Sequence, residues 1–420
     1  MTGSTEVVAR VPAVPSKWDI IPIHTSDIGN FKRCRRYWDW TSPTRNNLRR
    51  RVDIHGINIP LWFGTGIHFA LEQYYDPILK RDPVEAFLTW YQYQLDGGVV
   101  TEEWLDRTYD IHPRLDNPDG PIDDGPQIWK IAGLKELLPA WEVYEEDLEL
   151  HRELGVGMMT FYKEYAKKND NFVCVAAEST YSIPLGFGAV DERLESPNFG
   201  KKLEVHARGK RDAIVYFPDM DRYGIFDHKT MERYDEDEKD EYLNKDEQTS
   251  NYLWATKQEA KLNGYPWSEA RIDRIVYQML RKRYPKPPTI TSRGFPSIDR
   301  QKEGTTAELF QALVVGNEAL ETWFRDDAKA QAYYTFLCEK GDENFIIRKT
   351  VPRNKHEVES TGRHLRMIAE EMLNEPYLYP NPTSQFNCLH CAFRSPCIAM
   401  DDGGDYDSIL VDGYETNRDR

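Results

Sequence analysis

The chain has 420 residues and a mass of 49.1 kDa, enough for one elaborated domain or two or three smaller ones, and its 40% hydrophobic content excludes a wholly disordered protein. No run of about 18 apolar residues exists to span a membrane, and the first ten residues lack the basic start and apolar centre of a signal peptide, so a reducing cytoplasm is the expected location. The charge of −16, from 54 basic and 70 acidic residues, excludes a uniformly basic nucleic-acid coat but not a local basic surface that grips phosphates.

In chain order, residues 1–18 read as a flexible leader. Ser26-Asp-Ile-Gly-Asn-Phe31 predicts a short helix from Thr25 to about Tyr37, capped by Thr25 or Ser26. Gly64 to about Tyr75 predicts a helix with Ile67, Ala70, Leu71 and Tyr74 on one side. Residues 76–170 read as mostly helical, interrupted by the Asp/Pro/Gly-rich loop Asp110–Gly125. The period then changes to two. Asn171–Ser182 and Leu203–Arg208 predict strands, and Asp212–Phe217 with Tyr223–Asp227 predict a hairpin around Pro218-Asp-Met-Asp221. Helix is expected from Glu247 to about Leu262, strand over Arg274–Arg281, and a Pro-rich linker over Tyr284–Gly304. Helices over Thr305–Tyr334 and Glu357–Leu373 flank a strand near Phe345–Thr350. The segments 19–75, 171–283 and 341–400 thus read as parts of one core. Residues 76–170 form a helical insertion, 284–340 a linker with a second helical insertion, and 401–420 an acidic tail.

Charge is unevenly spread. Phe31–Val52 holds eight Lys/Arg against Asp39 alone, while Met231–Glu247 holds nine acids against three bases. Phe31, Tyr37, Trp38 and Trp40 interleave with the bases, as in single-strand-binding surfaces where rings stack and cations track the backbone. The competing expectations are a solvated charged surface and rings, Tyr37 and Trp38 first, that pack against a cysteine centre.

That centre is suggested by four of the six cysteines. Cys34 stands alone near one end, and Cys388-x2-Cys391-x5-Cys397 crowds the other. In a reducing compartment such clusters bind metal more often than they form disulfides. Four thiolates suit zinc or an iron–sulfur cluster, spacing alone favours neither, and His390 offers zinc a substitute ligand. Cys174 and Cys338 read as buried structural residues.

The chemistry-bearing constellation lies mid-chain. Strand side chains alternate, so Asp227 and Lys229 share a face, and Asp212 on the partner strand lies opposite them. Two carboxylates and a lysine suit phosphodiester hydrolysis: the acids hold Mg²⁺ while the lysine orients or helps deprotonate the attacking water. Taken alone, Asp-x-Lys equally describes an exposed hairpin with an ordinary salt bridge. Gln248 and Tyr252 fall on one face of the following helix, and Glu178 on the preceding strand offers a third acid. His68 in Gly64-Thr-Gly-Ile-His68 is by itself more often a core residue than a ligand. Gly64-x-Gly66 lacks the third glycine and preceding strand of a nucleotide loop.

Taken in order, Cys34, Gly64-x3-His68, Glu178, Gly209-x2-Asp212, Asp227-x-Lys229, Gln248-x3-Tyr252 and the C-terminal cysteines resemble the RecB-type branch of the PD-(D/E)xK nucleases. Its iron–sulfur members, the CRISPR-associated exonucleases, the AddB nuclease domain and bacteriophage enzymes, are the nearest likeness. The resemblance covers about residues 25–400. It implies an α/β fold with a mixed central sheet flanked by helices, a restriction-endonuclease-like core whose two ends a cysteine-ligated cluster joins. It implies His68, Asp212 and Asp227 as ligands of Mg²⁺ or Mn²⁺, completed by the His228 carbonyl, and Lys229 as the catalytic lysine. Gln248 and Tyr252 would contact DNA or support the site, and Cys34, Cys388, Cys391 and Cys397 would bind a [4Fe–4S] cluster, with zinc the alternative. Arg211 stands where the family name has proline, and Asp227 where glutamate is usual.

The expectation is therefore a DNA exonuclease acting on linear or single-stranded ends in recombination, repair or end processing. The alternatives are a non-catalytic DNA-binding or scaffold subunit and a zinc-stapled endonuclease. No G-x4-G-K-[ST] phosphate loop occurs, so unwinding would fall to a partner helicase or recombination protein.

Overall fold

A single 16-residue strand organises the computed structural model, which describes residues 19–101, 128–138, 141–193, 196–234, 242–263, 271–300, 304–375 and 378–416. The expected leader 1–18, the loop Asp110–Gly125 and part of the acidic run Met231–Glu247 lie outside the described residues. The strand is β6 (Lys202–Phe217). Along one edge it pairs antiparallel with β5 (Val173–Val190). Along the other, Glu204–Arg208 pair in parallel with β1 (Ile20–His24), and Ala213–Phe217 pair antiparallel with β7 (Arg222–Met231). The sheet continues from β7 to β8 (Ile272–Arg281), parallel, and to β9 (Ile346–Pro352), antiparallel. It is a mixed six-stranded sheet with helices on both faces.

Two strands expected over 203–208 and 212–217 are thus one. Gly209, between them, serves a close approach: a Cβ there would meet the Tyr181 hydroxyl of β5 at 2.5 Å, so the strand runs through without a side chain at that point. β1 was not legible because its partner lies some 180 residues away and Pro22 removes a donor, which an edge strand tolerates. The helix predicted over 25–37 is two, α1 (Thr25–Arg33) and α2 (Arg35–Thr41), broken at Cys34, whose φ of −172° is extended. Its cap is one residue earlier than expected, with the His24 N–H donating to Asp27 Oδ2 at 3.0 Å.

Alternation divides the sheet residues between two cores. Ile214, Ile225, Ile275 and Tyr277 face α1, α6 (Glu247–Asn263) and α10 (Lys355–Asn374). Ala213, Val215, Phe226 and Val276 face α3 (Ile59–Tyr75), α4 (Pro83–Asp96) and α5 (Glu142–Asn169). The helices of 76–170 therefore pack directly on the sheet, and that segment also holds a hairpin of β3 (Gly97–Thr101) and β4 (Ile128–Ala132). Gly66 in α3 admits Trp90 of α4, whose ring lies 2.3 Å from where a Cβ would be. Residues 307–340 form α7 (Ala307–Val314), α8 (Glu318–Asp326) and α9 (Ala328–Lys340) around a small core of their own. Cys338, expected to be buried, is exposed on α9.

The C-terminal segment folds back onto the N-terminus through α11 (Gln385–Leu389), α12 (Arg394–Asp401), α13 (Tyr406–Gly413) and β10 (Tyr414–Thr416). The stretch read as an acidic tail thus carries a helix and a strand. β10 pairs with β2 (Leu48–Arg50). Part of the basic run enters this docking. Lys32 pairs with Glu247, Arg35 with Glu371, Arg36 with Asp401, Arg45 with Glu192, Arg49 with Glu415 and Arg51 with Asp53, at 2.5–2.9 Å. Arg33 and Arg50 donate to the carbonyls of Asn387 and Ala392. Arg33, Arg36, Arg49 and Arg50 thus link the protein's two ends, whereas Lys32, Arg45 and Arg51 pair with acids outside the C-terminal segment.

Candidate active site

β6 and β7 part company at the site. Their last paired rung is Ala213–Phe226; beyond it β7 follows β8 while the other half of β6 lies against β1. Asp212 and Asp227 are the first residues past that rung, facing each other across the fork, and Asp212 Oδ2 accepts the His228 main-chain N–H at 2.6 Å. From α3, His68 brings Nδ1 to 3.5 Å from the same oxygen. On β5, the register between Ala177–Ala213 and Ser179–Arg211 sets Glu178 opposite Asp212. Glu178 has φ +45°, the left-handed region rarely adopted by a side-chain-bearing residue and costly in a strand. His68, Glu178 and Asp212 offer ligand atoms all within 4.8 Å of one another.

Lys229 closes the other side. Its ammonium lies 3.0 Å from Asp227 Oδ2, donates to Oδ1 at 3.3 Å and donates to Gln248 Oε1 at 3.0 Å. Gln248 Nε2 in turn donates to the Tyr252 hydroxyl at 2.8 Å, so the pair set one turn apart on α6 orients the lysine. Asp227 Oδ2 is buried and accepts no well-aligned hydrogen bond among the described residues. Two carboxylates and an imidazole converging beside the buried, lysine-paired Asp227 carboxylate fit a divalent cation. Asp227 itself lies outside the tight His68–Glu178–Asp212 group and borders the same cavity of about 700 Å³.

Electrostatics split the two aspartates. Burial opposes ionisation of Asp212, but His68 and the His228 amide outweigh it and hold the carboxyl well below the usual range. Burial, reinforced by the Asp212 charge, pushes Asp227 up to about 7 despite Lys229. Burial works against the charge on His68, yet Asp212, Glu178 and Asp227 raise it to about 9. The His228 ring is lowered by burial to about 3 and is neutral, stacked on Tyr75 at 5.6 Å.

Two contributors were not singled out from the sequence. Glu72, one turn after His68, and Lys210, two before Asp212, both line the cavity, and Lys210 Nζ lies 2.5 Å from Glu178 Oε2. The i,i+4 and i,i+2 spacings from His68 and Asp212 were the available signals. Arg211, 2% exposed, turns away from the cavity and binds Glu259 at 2.5 Å and Thr256 at 2.7 Å on α6.

At the far end of α1, Cys34, Cys391 and Cys397 lie close enough for Cys34 to act electrostatically on the other two. Burial raises the Cys391 and Cys397 thiols, while the Phe393 amide and Arg33 act against the rise at Cys391 and Arg36 acts against it at Cys397. Arg36 Nη1 lies 3.3 Å from Cys397 Sγ. Cys388 is exposed one turn earlier, its carbonyl accepting the Cys391 N–H. Among the described residues no three of these four thiols come within 4.8 Å of one another, unlike the ligand atoms of His68, Glu178 and Asp212. Of the two rings expected here, Tyr37 packs edge-on to Phe393 at 5.8 Å, joined by Trp40. Trp38 instead enters the main core against Phe31, because its helix face points to the sheet.

This fold and site define a nuclease. The sequence matches the family described as "PD-(D/E)XK nuclease superfamily" over residues 25–398, and the chain belongs to that superfamily. A solved structure titled "Crystal structure of SSO0001" is similar, with 13% identity over 61% of this chain and 80% of that one and a TM-score of 0.25. No curated protein matches.

Proposed function

We propose that this superfamily member is a Mg²⁺- or Mn²⁺-dependent deoxyribonuclease, an exonuclease that shortens linear or single-stranded DNA ends in recombination or repair, supplied with unwound ends by a partner helicase. The observation that carries the reading is the convergence of His68, Glu178 and Asp212 in one cavity with Asp227 and a Gln248-held Lys229. His68, Asp212 and Asp227 would hold the ion, with Glu178 as a further acid and the His228 carbonyl completing the shell. The ion, when bound, supplies charge neutralisation at the scissile phosphate and acidifies a water. Lys229 orients that water; Gln248 fixes the ammonium, and Tyr252 fixes Gln248. Cys34, Cys388, Cys391 and Cys397 would carry a [4Fe–4S] cluster as a structural clasp, with zinc as the competing occupant.

The test is digestion of end-labelled linear and closed circular DNA with Mg²⁺, Mn²⁺ or EDTA, comparing wild type with Asp227→Ala. Metal-dependent loss of linear DNA alone, abolished in the variant, supports the exonuclease. Cutting of circles turns the reading to an endonuclease, and equal background in both proteins turns it to a DNA-binding subunit. Visible absorbance of anaerobically purified protein separates the cluster from zinc.

A further inference from the structure

The cavity contains more acid than one divalent ion uses. Glu72, Glu178, Asp212 and Asp227 all border it. In two-metal hydrolases a second ion sits about 3.5–4 Å from the first on its own oxygen ligands. With His68, Asp212 and Asp227 on the first ion as proposed above, the carboxylates left among the described lining residues are Glu72 and Glu178, the latter within 4.8 Å of His68 and Asp212. Lys210 already stands there. Its ammonium is 2.5 Å from Glu178 Oε2, and Glu72 is the next strongest charge acting on it. Strand alternation puts Lys210 on the same face as Asp212, two residues on, so β6 delivers metal ligand and cation together. Glu178 is held with its strained left-handed φ at this contact.

We propose that Lys210 is a fixed second cation of the active site: it occupies the ground a second divalent ion would need, and offers its charge to a phosphate oxygen of the DNA beside a single bound metal. The inference rests on the metal-dependent reading above. A lysine ammonium is a compact point charge, and a cation placed in advance where phosphate charge develops costs no reorganisation when substrate arrives. It also relieves the repulsion between Glu178 and Asp212, like charges that face each other across the β5–β6 ladder.

Anomalous scattering from Mn²⁺-soaked crystals tests this by counting ions, independently of turnover. Wild type should show one peak, at His68, Asp212 and Asp227. Lys210→Met, which keeps the aliphatic stem but not the charge, should gain a second about 4 Å away on Glu178 and Glu72, and Lys210→Arg should return to one. Two peaks in wild type, or a single peak in folded Lys210→Met, would overturn the role of Lys210 and leave the metal-dependent reading standing. No peak in wild type would remove both. If Lys210→Met does not fold, the ions are counted in Lys210→Gln, where a single peak would likewise overturn the role of Lys210.

Discussion

Asp212 and Asp227 face each other across the same fork yet differ in proton affinity, because His68 and the His228 amide stabilise the charge on one while burial and that very charge penalise the other. A divalent ion at this site competes with protons for its ligands. The Asp227 carboxyl, pushed up to about 7, and His68, raised to about 9, both bind a proton below pH 7, and His68 alone does so between 7 and 9. The sign is fixed: metal affinity rises with pH. Each displaced proton is worth about tenfold per pH unit, so the Mn²⁺ Kd should fall roughly a hundredfold from pH 6 to 7 and roughly tenfold from 7 to 8. Calorimetric titration at the three pH values measures both steps. A flat profile would show that neither group ligates. Asp227→Asn should lose one of the two protons from the lower step.

Between elements, the decisive contact is Arg211 of β6 with Glu259 of α6, both almost fully shielded from water. It ties the strand that bears Asp212 to the helix that bears Gln248 and Tyr252. Breaking a buried pair by removing one partner leaves a stranded charge, at about 3–5 kcal/mol, whereas replacing both with apolar residues is often neutral. Glu259→Ala should therefore lower unfolding stability by about that amount, and Arg211→Met with Glu259→Leu should recover most of it in urea denaturation. Equal loss in the single and double variants would mean that the pair stabilises through its hydrogen bonds to Thr256 and Ser179 instead. This contact also marks where sequence reading stops. The hairpin, the shared face of Asp227 and Lys229, and the one-turn spacing of Gln248 and Tyr252 follow from periods of two and 3.6. The Arg211–Glu259 and Lys210–Glu178 pairs depend on which strand lies beside which and on a residue with φ +45°. No spacing encodes either. Trp38 and Cys338 failed for a related reason: composition gave their surroundings but not the direction of their helix faces.

At the scale of the molecule, side-chain packing and a strand pair join the two ends. Tyr414 stacks on Phe393 at 4.6 Å and donates to the Ala392 carbonyl at 2.6 Å, β10 extends β2, and the basic run of 31–52 spends its charge on acids, several of them C-terminal. Little of this clasp passes through the sheet core, since Trp40, Phe393 and Tyr414 form a cluster separate from both large ones. Local opening with its own free energy is therefore expected. Tyr414→Ala, which empties a buried aromatic site worth about 3–5 kcal/mol, should speed hydrogen exchange over residues 385–416 and β2 while amides of β6, β7 and β8 keep their protection. Cys34→Ser should produce the same footprint if all four cysteines share one bound group, because losing that group frees the same segment. Acceleration in Tyr414→Ala but not in Cys34→Ser would show that packing alone closes the ends. Acceleration that spreads into β7 would show instead that the clasp supports the strand carrying Asp227 and Lys229, and thereby the active site.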